Sequence, residues 1–206
     1  MTGEPTLFDL LDFEREAVAA TPWQGAPLAY SAEYHDPADL VAAFERFKAE
    51  RGDFACIPRS HMWHKSAGGI EDAPAVDGHD LHLFHADGWC READHDHSAA
   101  PLPGEGMHQA VCGRCQWHHI APSWQTVVEA LHDHALPGWR ALPVVPAKLC
   151  RFDSTQATAA LTRWTSEHYP ESWQRPGAPI ITPRGEHGRR HVPGRSPFGG
   201  FDLAAD

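Results

Sequence analysis

The sequence predicts an α+β fold, with a few short antiparallel strands, about three helices and long irregular segments. Three observations carry that expectation. The pattern of apolar residues switches between alternation at 81–86 and helical spacing at 36–51 and 123–134. Residues 112–139, CGRCQWHHIAPSWQTVVEALHDHALPGW, place a Cys-x2-Cys turn directly ahead of a helix that ends on two histidines. The 18 prolines and 17 glycines among 206 residues leave much of the chain outside regular elements.

Length and charge bound the function. A chain of 206 residues holds one domain of ordinary size, or a smaller one with appendages. Residues 1–100 carry 19 acidic and 7 basic side chains, a net of −12, and residues 101–206 carry 9 and 10, a net of +1. An acidic front half repels phosphate backbones, so nucleic-acid contact, if any, belongs to the back half. No apolar run reaches the length of a membrane span and no signal pattern opens the chain, which reads as cytosolic. Five cysteines in a reducing compartment are ligands or core residues rather than disulfides. Ten of the 16 histidines fall between 79 and 134, alongside Cys90, Cys112 and Cys115.

Residues 1–35 read as a leader. Its apolar cluster (Leu7, Phe8, Leu10, Leu11) suits either a short helix docking on the body or a linear motif. Residues 36–51 read as a helix with Asp36 as N-cap, Pro37 at N1 and Gly52 as the stop, burying Leu40, Val41, Phe44 and Phe47. Residues 53–66 read as a short strand leading into a loop with His61 and His64, a His-x2-His that with Cys56 makes a weaker candidate for a second metal site. Residues 81–86 alternate as a strand, and 107–112 with 116–120 form a hairpin turning through CGRC. Gly113 is expected there to supply a positive φ.

Ser123 caps the next helix, with Trp124, Val127, Val128 and Leu131 on its buried face and Pro137-Gly138 after it. Trp139, Leu142, Val144 and Val145 then pack back on the body. A third helix runs from Ser154 to about Tyr169, with Ala157, Leu161, Trp164 and His168 on one face. Six prolines and six glycines in residues 170–206 make that tail an extended wrap. The division expected is therefore a leader over 1–35, a body over 36–169 and a wrap over 170–206.

Thiols on a turn facing imidazoles at the end of the following helix are what a tetrahedral zinc ion needs. The ligand set read from the sequence is Cys112, Cys115, His132 and His134, making residues 81–139 a zinc-stapled hairpin-helix unit. On an ideal helix the two histidines lie about 200° apart, so both reach one ion only if the helix ends near His132. Otherwise Cys90, His85 or His118 supplies the fourth ligand. The basic stretch 184–195 makes Arg184, Arg189, Arg190 and Arg195 the candidates for nucleic-acid contact, though pairing with the acidic half is the favoured role.

Three resemblances add to this. Glu4-Pro-Thr-Leu7-Phe8 resembles the Gln-x-x-Leu-Phe peptide by which bacterial proteins dock on the replication sliding clamp, with Glu4 where the glutamine belongs. HHIAP, residues 118–122, resembles the first half of the His-Asn-His nuclease motif, but the chain contains no asparagine and only 12 residues separate His119 from His132. The strings HDHALPGWRALPVVP, PGAPI and RRHVPGRSPFGGFDLA look like an uncharacterised family of actinobacterial and actinophage proteins, which implies a phage or mobile-element origin and no known activity. The expectation is a non-enzymatic, zinc-stabilised interaction protein of such an element, with Glu4, Leu7 and Phe8 as partner contacts. The alternatives are a nucleic-acid-binding zinc module and a degenerate metal-dependent nuclease.

Overall fold

The computed structural model describes residues 6–51, 61–65, 73–76, 78–86, 88, 103–150, 155–183 and 190–205. Among these lie four α-helices: α1 (Leu7–Ala20), α2 (Pro37–Arg51), α3 (Trp124–Ala135) and α4 (Thr155–His168). The strands are β1 (Ala73–Val76), β2 (His79–His85), β3 (His108–Cys112), β4 (Trp117–Ala121), β5 (Ile180–Thr182), β6 (His191–Val192) and β7 (Asp202–Ala204). The class is mixed α+β.

The helix beyond the expected three is α1. Thr6 caps it in a reciprocal box: Asp9 N–H donates to Thr6 Oγ1 (3.3 Å), and Thr6 N–H donates to Asp9 Oδ2 (2.7 Å). None of its side chains is buried. For α2, Asp36 Oδ1 accepts the Ala38 N–H at 2.9 Å. Its buried line is Leu40, Ala43 and Phe47 rather than one including Val41, which is 39% exposed. Val41 sits about 100° round the helix from Leu40, outside the stripe that Ala43 and Phe47 complete.

β1 to β4 form an antiparallel sheet in sequence order, with Leu81 opposite Cys112 and Cys112 opposite Trp117. The sheet is covered on both sides. Leu81, Leu83, Ala110, Cys112 and Ala121 pack in one core with Val127, Val128, Leu131 and Ala135 of α3. Phe84 and Val111 pack in a second core with Tyr30, Leu40, Phe47 and Trp63. Burial on both faces explains why both parities of 81–86 carry apolar side chains, Leu81 and Leu83 on one and Phe84 on the other: neither had to be polar. The strand expected at 53–66 falls largely outside the described residues, although His64 bridges His85 at its end.

The described residues of the tail, 170–183 and 190–205, are a folded part of the core, not a wrap. β5, β7 and β6 make a three-stranded sheet in that order, and the β5–β7 pair is parallel, where only antiparallel strands were expected. Ile180, Phe201 and Leu203 are buried in the α3 core. The turn at 199–200 needs glycine, since a Cβ on Gly200 would overlap the carbonyl oxygens of Gly177 and Ala178. Three hydrophobic side chains spread among prolines give no periodic signal, so the sequence pattern hid strands this short.

Candidate metal centre

Four donor side chains converge at one end of the four-stranded sheet. Cys112 ends β3, Cys115 sits in the turn after it, His79 begins β2, and His134 lies in the last turn of α3. One ligand atom from each lies within 4.8 Å of all the others, so the group could hold a metal ion. His79 Nδ1 is 3.2 Å from His134 Nε2, 3.4 Å from Cys115 Sγ and 3.7 Å from Cys112 Sγ. Cys112 is fully buried, His79 and His134 half-buried, and Cys115 exposed. The site is a corner with one open thiol.

Each position follows from local structure. His79 shares the parity of Leu81 and Leu83, so its side chain stands on the α3 face of the sheet, diagonal to Cys112. Gly78, at φ +84°, turns the chain into that strand. The knuckle corrects one expectation: Gln116 (φ 52°), not Gly113, takes the positive φ. Gly113 leaves room instead: a Cβ there would lie 2.9 Å from Asp80 Oδ2 and 3.3 Å from Pro37 Cδ, so both side chains would have to shift.

Asp80 holds the knuckle from outside. Its Oδ1 accepts the Arg114 N–H at 2.8 Å and the Cys112 thiol at 3.4 Å. Burial works to raise the Asp80 carboxyl, but these donors leave it below its ordinary value. Burial raises the Cys112 thiol. His134 is lowered, first by burial and then by the neighbouring His79. Trp117 lies flat on the His134 ring, centroids 4.3 Å apart and planes at 3°, and fixes its orientation.

Of the four ligands read from the sequence, three meet here and His132 does not. Because α3 runs on to Ala135, the angular separation of His132 and His134 persists. His132 points into the core, 2% exposed, with Nδ1 2.7 Å from the Val128 carbonyl and its ring edge-on to Trp139 and Phe201. Desolvation lowers its pKa to about 4. His79 takes the fourth place in the cluster; the alternation legible in the sequence begins at Leu81, two residues after it, and strand parity with Leu81 is the signal that points to it.

The alternatives lie elsewhere. His85 is at the opposite end of β2 with its ring 3.9 Å from that of His64, and His118 Nε2 sits 3.2 Å from the Ala32 carbonyl. Cys90, Cys56 and Glu4 are outside the described residues. Leu7 and Phe8 are 69% and 77% exposed on the first turn of α1. Arg184 and Arg189 also fall outside the described residues. Arg190 pairs with Glu129 of α3 at 3.1 Å, a carboxylate of the back half rather than the acidic front. Arg195 lines a surface depression with Thr158 and Leu161.

Neither curated proteins nor solved structures give a match to this chain. Protein-family models do, over residues 25–206, which take in both sheets, α2 to α4 and all four donors of the corner and leave α1 ahead of the match. The chain belongs to the family of unknown function DUF6349.

Proposed function

We propose that this protein is a non-enzymatic interaction module whose corner at His79, Cys112, Cys115 and His134 is cross-linked by one structural zinc ion. The observation that carries the reading is the spacing of the donors. Zinc bonds of about 2.05 Å to nitrogen and 2.3 Å to sulfur define a tetrahedron with edges of about 3.3 Å (N–N) and 3.6 Å (N–S). The distances of 3.2 Å between nitrogens and 3.4 and 3.7 Å from nitrogen to the sulfurs match these edges. Two thiols and two imidazoles are a zinc donor set, and four protein ligands leave no open position for a substrate. Bound there, the ion supplies cross-linking rather than chemistry. It ties β2, the β3–β4 turn and α3 together, while Asp80 and Trp117 orient the ligands.

The role then falls to surfaces. We assign the partner contact to the leader, where Leu7 and Phe8 stand in the resemblance to a sliding-clamp peptide, in a protein serving an actinobacterial phage or mobile element. Their exposure supports availability to a partner. Nuclease action is the second reading and has less behind it, because the His119 ring is stacked along Trp117 and no asparagine exists to complete the motif.

Full-length protein purified without added metal should carry one zinc per chain, bind a purified actinobacterial sliding clamp, and lose that binding on Phe8→Ala. It should leave supercoiled DNA intact with magnesium or manganese. Absence of zinc removes the staple, absence of clamp binding removes the partner, and metal-dependent cutting abolished by His119→Ala replaces the reading with the nuclease one.

A further inference from the structure

The two sulfurs of the corner are not equivalent. Cys112 ends β3 in register with Leu81 and Trp117 and is fully buried. Its Sγ lies 3.4 Å from Asp80 Oδ1 and 3.7 Å from His79 Nδ1. Cys115 stands exposed on the turn, with its Sγ 3.4 Å from the same His79 nitrogen. A small solute in water therefore meets the Cys115 sulfur and is kept from that of Cys112.

The turn also keeps the pair together. Gln116 takes a φ of 52° and its N–H donates to the Gly113 carbonyl at 3.2 Å, folding residues 113–116 back on themselves. The Sγ atoms of Cys112 and Cys115 lie within 4.8 Å of each other. Side-chain rotation closes such a gap to the ~2.05 Å of a disulfide bond. An exposed sulfur with a second one beside it is the arrangement in which oxidation is selective and reversible, because the neighbour resolves the first product before it is oxidised further. The two cross-links also tie different things. Zinc joins His79 of β2, the β3–β4 turn and His134 of α3. A Cys112–Cys115 disulfide closes a loop within one turn, the kind that restrains the unfolded chain least, and leaves both histidines unattached.

We infer that the corner is a peroxide-sensitive switch, in which oxidation of Cys115, resolved by Cys112, expels the zinc ion and unties β2 and α3 from the knuckle. This rests on the zinc reading above and adds its regulation. The Cys115 thiolate attacks one oxygen of hydrogen peroxide. An S–O bond forms, the O–O bond breaks, and the second oxygen leaves as hydroxide and takes a proton from solvent to become water. Cys115 is then a sulfenic acid and no longer offers zinc a thiolate. The Cys112 thiolate attacks the Cys115 sulfur next. The S–S bond forms, the S–O bond breaks, and a second hydroxide leaves and is protonated to water. The two sulfurs give up two electrons, the peroxide gains them, and zinc departs as the dication with its charge unchanged.

The test uses the full chain, purified with reductant and then freed of it under anaerobic conditions, with hydrogen peroxide as the probe. Zinc content is measured before the oxidant is added, its release is followed with a chromogenic chelator, and the cysteines are mapped by peptide mass. A small excess of peroxide should release the zinc and leave a Cys112–Cys115 disulfide, and a dithiol reductant with added zinc should restore the metal. A 1,3-dione present during oxidation should label Cys115 and not Cys112. The melting midpoint of the oxidised protein should fall to that of chelator-stripped protein. Amide exchange should quicken at the start of β2 and in the last turn of α3, while α2 keeps its protection. A chain that carries no zinc before peroxide overturns the zinc reading and this inference together. Zinc present and retained after peroxide overturns the inference alone. So does zinc released with Cys115 carried on to sulfinic acid in place of the disulfide, or a dione adduct on Cys112.

Discussion

Replacing His79 and His132 by alanine, one at a time, separates the ligand set built by the structure from the one legible in the sequence. His132 is 2% exposed and packs against Trp139 and Phe201, with one ring nitrogen at the Val128 carbonyl. His132→Ala should act as a large-to-small core change costing about 2–4 kcal/mol. At about 2–4 °C per kcal/mol for a domain of this size, that lowers the melting midpoint by roughly 5–15 °C. The metal should stay. His79→Ala removes a half-buried ring at the sheet's end, so packing changes little, but a first ligand is lost. An outer ligand partner alone is worth about 10–100-fold in metal affinity, so losing a direct ligand should cost more than about 100-fold. By mass action that withdraws about 2.7 kcal/mol or more of metal-linked stability. The assay is thermal unfolding with and without a chelator, alongside zinc per chain after gel filtration. Wild type and His132→Ala should both lose stability to the chelator, and His79→Ala should be indifferent to it. A His132→Ala protein stripped of metal beside a His79→Ala protein that keeps it would refute the assignment.

Three further outcomes are expected. Gly113→Ala should destabilise by about 1–3 kcal/mol in denaturant melts, because its Cβ must push Asp80 and Pro37 apart. It should weaken metal retention as well, and an unchanged variant would mean the knuckle is loosely packed. Phe201→Ala should cost about 3–5 kcal/mol, since that ring is 1% exposed in the α3 core; a cost under 1 kcal/mol would return the tail to a surface wrap. Stability should also fall with acid through His191 and Glu129. The His191 ring accepts the Ala204 N–H on Nδ1 (3.2 Å) and donates from Nε2 to Glu129 (2.8 Å), an arrangement that fits the neutral ring. Burial, opposed by Glu129, leaves the His191 pKa below 6.5, so its contribution is complete above pH 6.5 and is lost as pH falls through the depressed value. Glu129 is penalised by burial but held low by His191, Arg190 and Arg140, so its contribution is complete above 4.5 and lost below that. Urea midpoints measured from pH 7.5 to 4 should therefore decline with acid, and His191→Phe should flatten the first part of that decline. A midpoint rising between pH 7 and 5 would contradict the sign for His191, and one rising as pH falls below 4.5 would contradict the sign for Glu129.

The sequence by itself determined what is local. Ser123 capping α3, Asp36 and Pro37 opening α2, the Cys112–Cys115 hairpin and the core line Val127, Val128 and Leu131 all follow from spacing and cap chemistry within a dozen residues. Cys112, Cys115 and His134 were legible for the same reason, lying on one hairpin and the helix after it. Only the tertiary structure decided the rest. His79 joins the site because β2 pairs with β3 in a register that puts Leu81 opposite Cys112, and sequence separation hides such pairing. His132 leaves it because α3 continues past the residue where both histidines could have turned to one ion. The tail became core because Ile180, Phe201 and Leu203 meet α3 across a parallel pairing that no local periodicity encodes. Caps and helical stripes are written in neighbouring residues. Strand register and the choice among sixteen histidines are settled by which distant surfaces bury each other.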